Sequence, residues 1–134
     1  MNELIVNQLF CRLCELGKSM GFSEPIIRSN KYSTEIYIVD KHALQVEIDW
    51  KENNLFMYAV YLIDCKLPDD SVIYHYPNGH WCRKYLEEIC STKRPSPRNS
   101  DRRYSFDYLL DCFNFYASLI GTNPELVKFL KTGD

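Results

Sequence analysis

Hydrophobic and polar positions alternate most regularly along residues 44–50. Apolar side chains occupy one side of this segment and polar ones the other: Leu44, Val46, Ile48 and Trp50 against Gln45, Glu47 and Asp49. A period of two is typical of an antiparallel strand with one face on a core and one in water. Segments 36–39 and 55–63 are rich in β-branched and aromatic residues, and short polar turns join them to this strand. The pattern therefore predicts a three-stranded antiparallel meander.

Apolar positions three and four residues apart predict helices on both sides of the meander. Residues 3–20 and 104–120 each carry a wide apolar stripe of this kind. From residue 80 the same period predicts a further helix, with Arg83 on its solvent side. Asn123 followed by Pro124 is typical of a helix start, which predicts a short final helix.

Two shorter extended segments complete the predicted fold. Residues 26–30 are predicted to form a short strand or an extended lead-in, and residues 72–76 a fourth strand of the sheet. The predicted order is α-β-β-β-β-α-α-α. This order indicates an α+β fold, with an antiparallel sheet of three to four meander strands and helices packed on one of its faces.

The length and the ends of the chain set further expectations. A chain of 134 residues is expected to form a single domain, residues 1–134, with one hydrophobic core. Residues 2 and 3 are polar, so no signal peptide is predicted. No apolar run approaches the roughly 20 residues that a membrane helix needs. We therefore expect a cytoplasmic protein without a membrane partner. The sequence leaves its oligomeric state open.

Residues 91–103 differ in composition from the rest of the chain. They contain two prolines, no apolar residue, one acidic side chain and five basic ones: Lys93, Arg94, Arg98, Arg102 and Arg103. This composition predicts a solvated, mobile basic loop whose cations could neutralise phosphates. Residues 1–90, however, carry nine basic and thirteen acidic side chains. That excess argues against nucleic acid as the partner, since nucleic-acid-binding proteins usually spread positive charge over one face.

Cysteine and histidine residues are candidates for redox, zinc-binding or catalytic roles. Cys11 and Cys14 have the spacing of a redox or zinc motif, but they lie in an amphipathic helix without further ligands. We interpret them, like the other cysteines, as buried thiols that pack in the core. His75, His80 and Cys82 could gather a zinc ion or a base and nucleophile, but no acidic residue is adjacent to orient a base, and a plain turn at Asn78 and Gly79 is the better explanation. No metal or cofactor is predicted.

Acidic residues near tyrosines are the remaining candidates. Glu47 and Asp49 could act as general acid and base, but they are expected on a water-facing side, as is His42 in its turn. Negative charge bordered by tyrosines is typical of fast protein–protein association. The predicted partner-binding surface therefore comprises Glu47, Asp49, Glu52, Asp64, Asp69, Asp70, Tyr58 and Tyr61. An ordinary solvated rim is the alternative interpretation.

The leading helix, the strand VEIDW (residues 46–50) and the segment GHWCRKYLEEI (residues 79–89) resemble small immunity proteins of bacterial polymorphic toxin and contact-dependent growth inhibition systems. The resemblance implies a non-enzymatic, cytoplasmic inhibitor that binds and neutralises a cognate toxin domain. Many such toxins are nucleases with basic clefts, which would suit an acidic surface. Two alternatives stay open: a nucleic-acid-associated accessory protein using residues 93–103, and a small metal-dependent enzyme around His75 and His80.

Overall fold

The computed structural model describes residues 3–29, 32–94 and 106–133. A helix, five strands and three further helices follow one another along the chain: α1 (Glu3–Met20), β1 (Ile26–Ser29), β2 (Ser33–Val39), β3 (Ala43–Asp49), β4 (Asn54–Val60), β5 (Arg83–Tyr85), α2 (Leu86–Ile89), α3 (Phe106–Thr122) and α4 (Pro124–Thr132). The strands form one antiparallel sheet in the order β1-β2-β3-β4-β5. The predicted α+β class is confirmed. None of the helices in the described ranges is long and apolar enough to cross a lipid bilayer.

Strands β2, β3 and β4 form the predicted meander, and their register fixes which side chains share a face. Ile36, Val46 and Met57 are direct neighbours across the three strands, and all three are fully buried. They belong to the main core, in which this inner face packs against α1, α3 and α4. Burying one such side chain contributes about 2 kcal/mol relative to leaving it exposed. The inner face therefore supplies most of the hydrophobic stabilisation.

The first helix ends where the sequence predicts. Val6, Leu9 and Leu13 form its buried stripe, and Gly21 follows its last residue with φ +80°. A left-handed residue after a helix is most easily glycine, because no Cβ clashes there. Gly17 lies within the helix and is buried, and a Cβ added to it would approach Ile38 Cγ2 to 3.3 Å. Close contact between α1 and β2 explains this second glycine.

The predicted fourth strand and the helix after it are wrong in detail. Residues 72–76 form no strand, although His75 makes an isolated bridge with Trp81. The edge strand is instead Arg83–Tyr85, which pairs with β4, and α2 begins only at Leu86. The short run from residue 82 to 86 fits both a period of two and a helical period. Pairing with the free edge of β4 decides in favour of a strand.

Residues 61–82 fold back over the outer face of the sheet, and we call them the covering segment. Tyr61 N–H donates to the Cys82 carbonyl (2.8 Å), which closes this segment at its base. Its side chains form a second apolar cluster with the outer face: Tyr37, Ala43, Tyr58, Val60, Leu62, Tyr76 and Cys82. The expected water-facing side of the meander is therefore only partly solvated. Gln45, on this side, is 1% exposed.

Two smaller expectations also fail. His42 is buried rather than exposed, because its ring lies between Tyr61 and Phe129, with 4.5 Å between ring centroids on each side. Cys11 is exposed and Cys14 only partly buried, because both lie towards the solvent side of the stripe formed by Leu9 and Leu13. The interpretation of all cysteines as core residues is therefore wrong for Cys11 and for Cys65, which is also exposed, although Cys82 and Cys112 are buried.

Candidate functional site: a polar cavity on the outer face

A cavity of about 630 Å³ lies between the outer face of the sheet and the covering segment. Alternation along each strand places every second side chain on this outer face, and some of these side chains line the cavity. Its floor and walls are mainly polar and come from all five strands and the covering segment: Arg28, Glu35, Gln45, Glu47, Tyr58, Asp70, Tyr74 and Arg83 are among the lining residues. A concave site with convergent polar groups is where a ligand or partner is expected to bind.

Arg83 fixes the covering segment to the sheet. Its Nε donates to Gln45 Oε1, and its Nη2 donates to the Tyr37 hydroxyl (3.0 Å). Its Nη1 donates to the carbonyls of Val72 (2.7 Å) and Ile73 (2.9 Å). The planar guanidinium thus reaches the sheet and the segment at once, as no other side chain could. Its donors are engaged, so Arg83 is a structural group of the cavity wall.

Glu35 and Glu47 lie directly opposite each other on β2 and β3. Like charges in such cross-strand pairs are destabilising. Each carboxylate is held by a tyrosine: Tyr37 donates to Glu35 (2.8 Å) and Tyr58 donates to Glu47 (3.0 Å). Burial raises the pKa of Glu47, and the negative charges of Glu35 and Asp49 raise it further, against the lowering effect of the Tyr58 hydrogen bond. The positive charge of Arg83 also lowers this pKa, without cancelling its rise. The cavity therefore contains two carboxylates that repel each other and that no cation of the described residues contacts at ion-pair distance.

Asp70 and Tyr74 form the rim of the cavity. The Asp70 side chain is 94% exposed and lies 3.9 Å from Arg28, an ion pair that solvent screens. Arg28 also donates to the Pro68 carbonyl (3.3 Å). Tyr74 and Tyr85 share a hydrogen bond between their hydroxyls (3.1 Å), which raises the pKa of Tyr74 to about 12 together with partial burial. Ile73 and Tyr74 are exposed, so the rim presents both apolar surface and charge.

The structure brings together three of the eight predicted partner-binding residues, namely Glu47, Tyr58 and Asp70. Tyr58 is 4% exposed and serves the cavity through its hydroxyl. Glu35, Arg28 and Arg83 were missed, because only the strand register and the covering segment place them there.

The other predicted residues lie elsewhere. Asp49 accepts hydrogen bonds from the backbone N–H groups of Lys51 and Glu52 in the β3–β4 turn (3.0 and 3.1 Å). Asp64 and Tyr61 follow the opposite end of β4, roughly 20 Å away along the strand. Asp69 accepts from Ser71 N–H (3.2 Å) within the covering segment. The predicted acidic surface is therefore divided between the cavity and two separate turns.

The candidate histidine and cysteine site, which the sequence did not favour, is not assembled in the described part of the chain. Within the described ranges, no three histidine, cysteine or acidic side chains converge to hold a metal ion, and this includes His75, His80 and Cys82. His80 stacks on Tyr61 (4.0 Å between centroids), and its Nδ1 lies 2.7 Å from the Trp81 carbonyl. Cys82 is fully buried in the second apolar cluster. His80 and Cys82 thus pack within the covering segment, whereas His75 is exposed and contributes only a backbone bridge to Trp81.

Arg94, predicted as part of a mobile basic loop, is instead packed against the core. Its guanidinium lies 4.4 Å from the centre of the Phe56 ring and donates to Asn54 Oδ1, with Cys112 Sγ 3.1 Å away. Lys93, next to it, is exposed. Residues 95–103 of the predicted loop lie outside the described residues. Arg94, one of the five basic side chains that could have bound phosphates, is therefore held by contacts within the fold.

Replacing Arg94 with alanine is expected to lower the free energy of unfolding by about 1–2 kcal/mol, because the cation–π contact and the hydrogen bonds to partly buried groups are lost. Lys93→Ala, a matched removal of one positive charge, is expected to stay within about 0.5 kcal/mol of the wild type. Urea denaturation followed by circular dichroism measures both. Equal stability of the two variants would contradict the packed position of Arg94.

The chain matches no protein-family profile, no curated protein and no solved structure. The cavity is therefore the feature of this chain that bears on its function. Its free groups are mainly fixed acceptors, and its cations are bound to other parts of the chain. Such a site is suited to binding a positively charged group.

Proposed function

We propose that this protein is a non-enzymatic immunity protein that acts in the cytoplasm and neutralises a cognate toxin domain by binding it. The observation that carries the proposal is the excess of fixed negative charge in an open cavity whose rim exposes Asp70, Ile73 and Tyr74. Charge of one sign speeds association with a basic partner, and aromatic and apolar rim residues stabilise the complex. A toxin with a basic surface, such as a nuclease, is the partner that this charge suits best.

Two observations favour this proposal over a nucleic-acid-binding protein and over a metal-dependent enzyme. Arg94 is held by contacts within the fold, and His75, His80 and Cys82 do not converge on one point. A nucleic-acid-binding protein would present its cations to phosphates, whereas Arg94, Arg83 and Arg28 all contact other parts of the chain. A metal-dependent enzyme would need ligands that converge. We therefore place the function in protein recognition on the outer face of the sheet.

Reversing the exposed charge of Asp70 at the rim, together with that of its neighbour Asp69, is expected to weaken binding to the cognate toxin domain. Asp69→Lys with Asp70→Lys should raise a Kd near nanomolar at least tenfold, mainly through a slower association rate at low salt. Glu15→Lys with Glu88→Lys, the same charge change at exposed positions in α1 and α2, should leave Kd within threefold. Surface plasmon resonance at two salt concentrations measures both variants.

A growth assay provides the second readout, in which bacteria expressing the toxin domain survive only when the wild-type protein is co-expressed. If the wild-type protein neither binds the domain at micromolar concentration nor protects the cells, the proposed function is wrong. If both double variants bind like the wild type, a toxin is still bound but the outer face is not where it binds.

A further inference from the structure

The cavity contains hydrogen-bonding capacity that the chain itself does not use. Tyr37 occupies Oε2 of Glu35 and Tyr58 occupies Oε1 of Glu47, while the second oxygen of each carboxylate accepts no hydrogen bond from the described residues. The two carboxylates are direct cross-strand neighbours, so their free oxygens belong to one small region of the cavity. Two adjacent acceptors with negative charge favour a bound group that supplies donors and positive charge.

Gln45 gives a second and independent indication of a ligand. This residue is 1% exposed and lines the cavity. Its Oε1 accepts from Arg83 Nε, which fixes the orientation of the amide because the guanidinium can only donate. Its Nε2 then donates to no group in the described part of the chain. This donor opens onto the cavity, where an acceptor on a bound molecule would satisfy it.

The two cations of the cavity do not neutralise the carboxylates. Arg83 is bound to Gln45, Tyr37 and the backbone of the covering segment. Arg28 donates to the Pro68 carbonyl and lies near Asp70. Among the described residues, no arginine, lysine or histidine side chain lies within ion-pair distance of Glu35 or Glu47. A cation on a bound molecule could therefore pair directly with both carboxylates, which the charge of Arg83 affects only from beyond ion-pair distance.

We propose that the cavity receives an arginine side chain of the partner, with its guanidinium between the carboxylates of Glu35 and Glu47 and a peptide carbonyl accepting from Gln45. A guanidinium has donors on several edges and can contact two carboxylates at once, which an ammonium group does less well. Tyr58 and Tyr74 line the same space, and the exposed ring of Tyr74 can contact its face. The volume of about 630 Å³ accommodates such a side chain with its flanking backbone.

This inference rests on the proposed function, but its test needs no toxin. N-acetyl-arginine amide is titrated into the full-length protein labelled with ¹⁵N, and the side-chain amide signal of Gln45 is followed by NMR. Saturable shifts are expected with a Kd near millimolar, as for a single side chain. N-acetyl-citrulline amide, which has nearly the same shape without the charge, should bind at least tenfold more weakly.

Variants separate the site from general charge. Glu35→Gln with Glu47→Gln should reduce binding of the arginine amide at least tenfold, while the midpoint of thermal unfolding stays equal to or above that of the wild type. A stable fold is expected because the double change removes a like-charge pair and keeps both side-chain shapes. Glu15→Gln with Glu88→Gln, the same charge change at exposed helical positions, should bind like the wild type.

Several results would overturn the proposal. Equal shifts with the arginine and citrulline amides would exclude recognition of the charge, and unchanged binding to the double cavity variant would exclude Glu35 and Glu47. Tighter binding of the lysine amide would contradict a guanidinium site. Tighter binding of free arginine would indicate a small metabolite instead of a partner side chain. A toxin domain that binds the double cavity variant unchanged would leave the proposed function intact while excluding this mode of recognition.

Discussion

Replacing Arg83 with methionine is expected to lower the free energy of unfolding by about 3–4 kcal/mol. The guanidinium donates to Gln45, Tyr37 and the carbonyls of Val72 and Ile73, and hydrogen bonds from charged groups contribute about 1.5–3 kcal/mol each, although their effects are not additive. Methionine keeps the apolar stem but leaves these partners unsatisfied in a partly buried site. Urea denaturation at pH 7 measures the loss.

Arg83→Lys and Arg12→Ala are the controls for this prediction. The lysine variant keeps the charge but replaces the planar guanidinium, with its several N–H donors, by one ammonium group. About half of the loss in the free energy of unfolding is therefore expected to remain. Arg12 is exposed on α1, and its removal should change the stability by less than about 0.5 kcal/mol. If Arg83→Met were as stable as Arg12→Ala, the covering segment would not be held by this guanidinium.

Acidification is expected to destabilise the protein through His42. Leu62 N–H donates to His42 Nδ1 (3.0 Å), so this nitrogen carries no proton in the folded state. Burial lowers the pKa of His42, and the charges of Lys41 and His80 lower it further. The unfolded state, with a histidine pKa near 6.5, therefore binds a proton more readily than the folded state. Stability is unaffected above that pH and falls as the pH decreases below about 6.5.

The expected loss between pH 6.5 and pH 5 is at most about 2 kcal/mol, because each unit of pH changes the free energy by about 1.4 kcal/mol for one proton. His42→Phe keeps the stacking between Tyr61 and Phe129 but removes the acceptor of Leu62 N–H. This variant should be less stable at pH 7 by about 1–3 kcal/mol. Its difference from the wild type should shrink towards pH 5. A constant difference across this range would exclude titration of His42.

The raised pKa of Glu47 acts in the opposite direction, so the comparison with His42→Phe is necessary to isolate the histidine. Its folded-state pKa lies above the unfolded value, and the folded state therefore binds the proton more tightly. Protonation of Glu47 thus favours the folded state at acidic pH, and this contribution is lost as the pH rises through the folded pKa. Glu47 titrates in the wild type and in His42→Phe alike, so its contribution cancels in the difference between their free energies of unfolding.

The periods of two and of about 3.6 predicted the meander, the long helices and the α+β class, because those segments bury one regular face. The position of Arg83 could not be predicted from these periods. In a helix its charge belongs in solvent, and only the free edge of β4 makes residues 83–85 a strand. That pairing turns Arg83 towards the outer face, where Tyr37, Gln45 and the covering segment provide its partners.

The candidate site was predicted only in part for a related reason. Glu47, Tyr58 and Asp70 were identified from charge and aromatic content. Glu35 has the same character, but its importance comes from standing opposite Glu47, which depends on the register set by the turn at residues 40–42. Arg94 was misplaced because composition describes a whole segment, whereas one side chain in it packs on Phe56.

The covering segment also has a consequence for the order of folding. Strands β2, β3 and β4 pair through hairpins, so the floor of the cavity involves contacts between residues close in sequence. The contact from Arg83 to Gln45 joins residues 38 positions apart, and that from Arg28 to Pro68 joins residues 40 apart. Closing long loops is slower, since more chain entropy is lost before any contact compensates for it. The floor is therefore expected to form first, and the cavity becomes complete only in the last steps of folding.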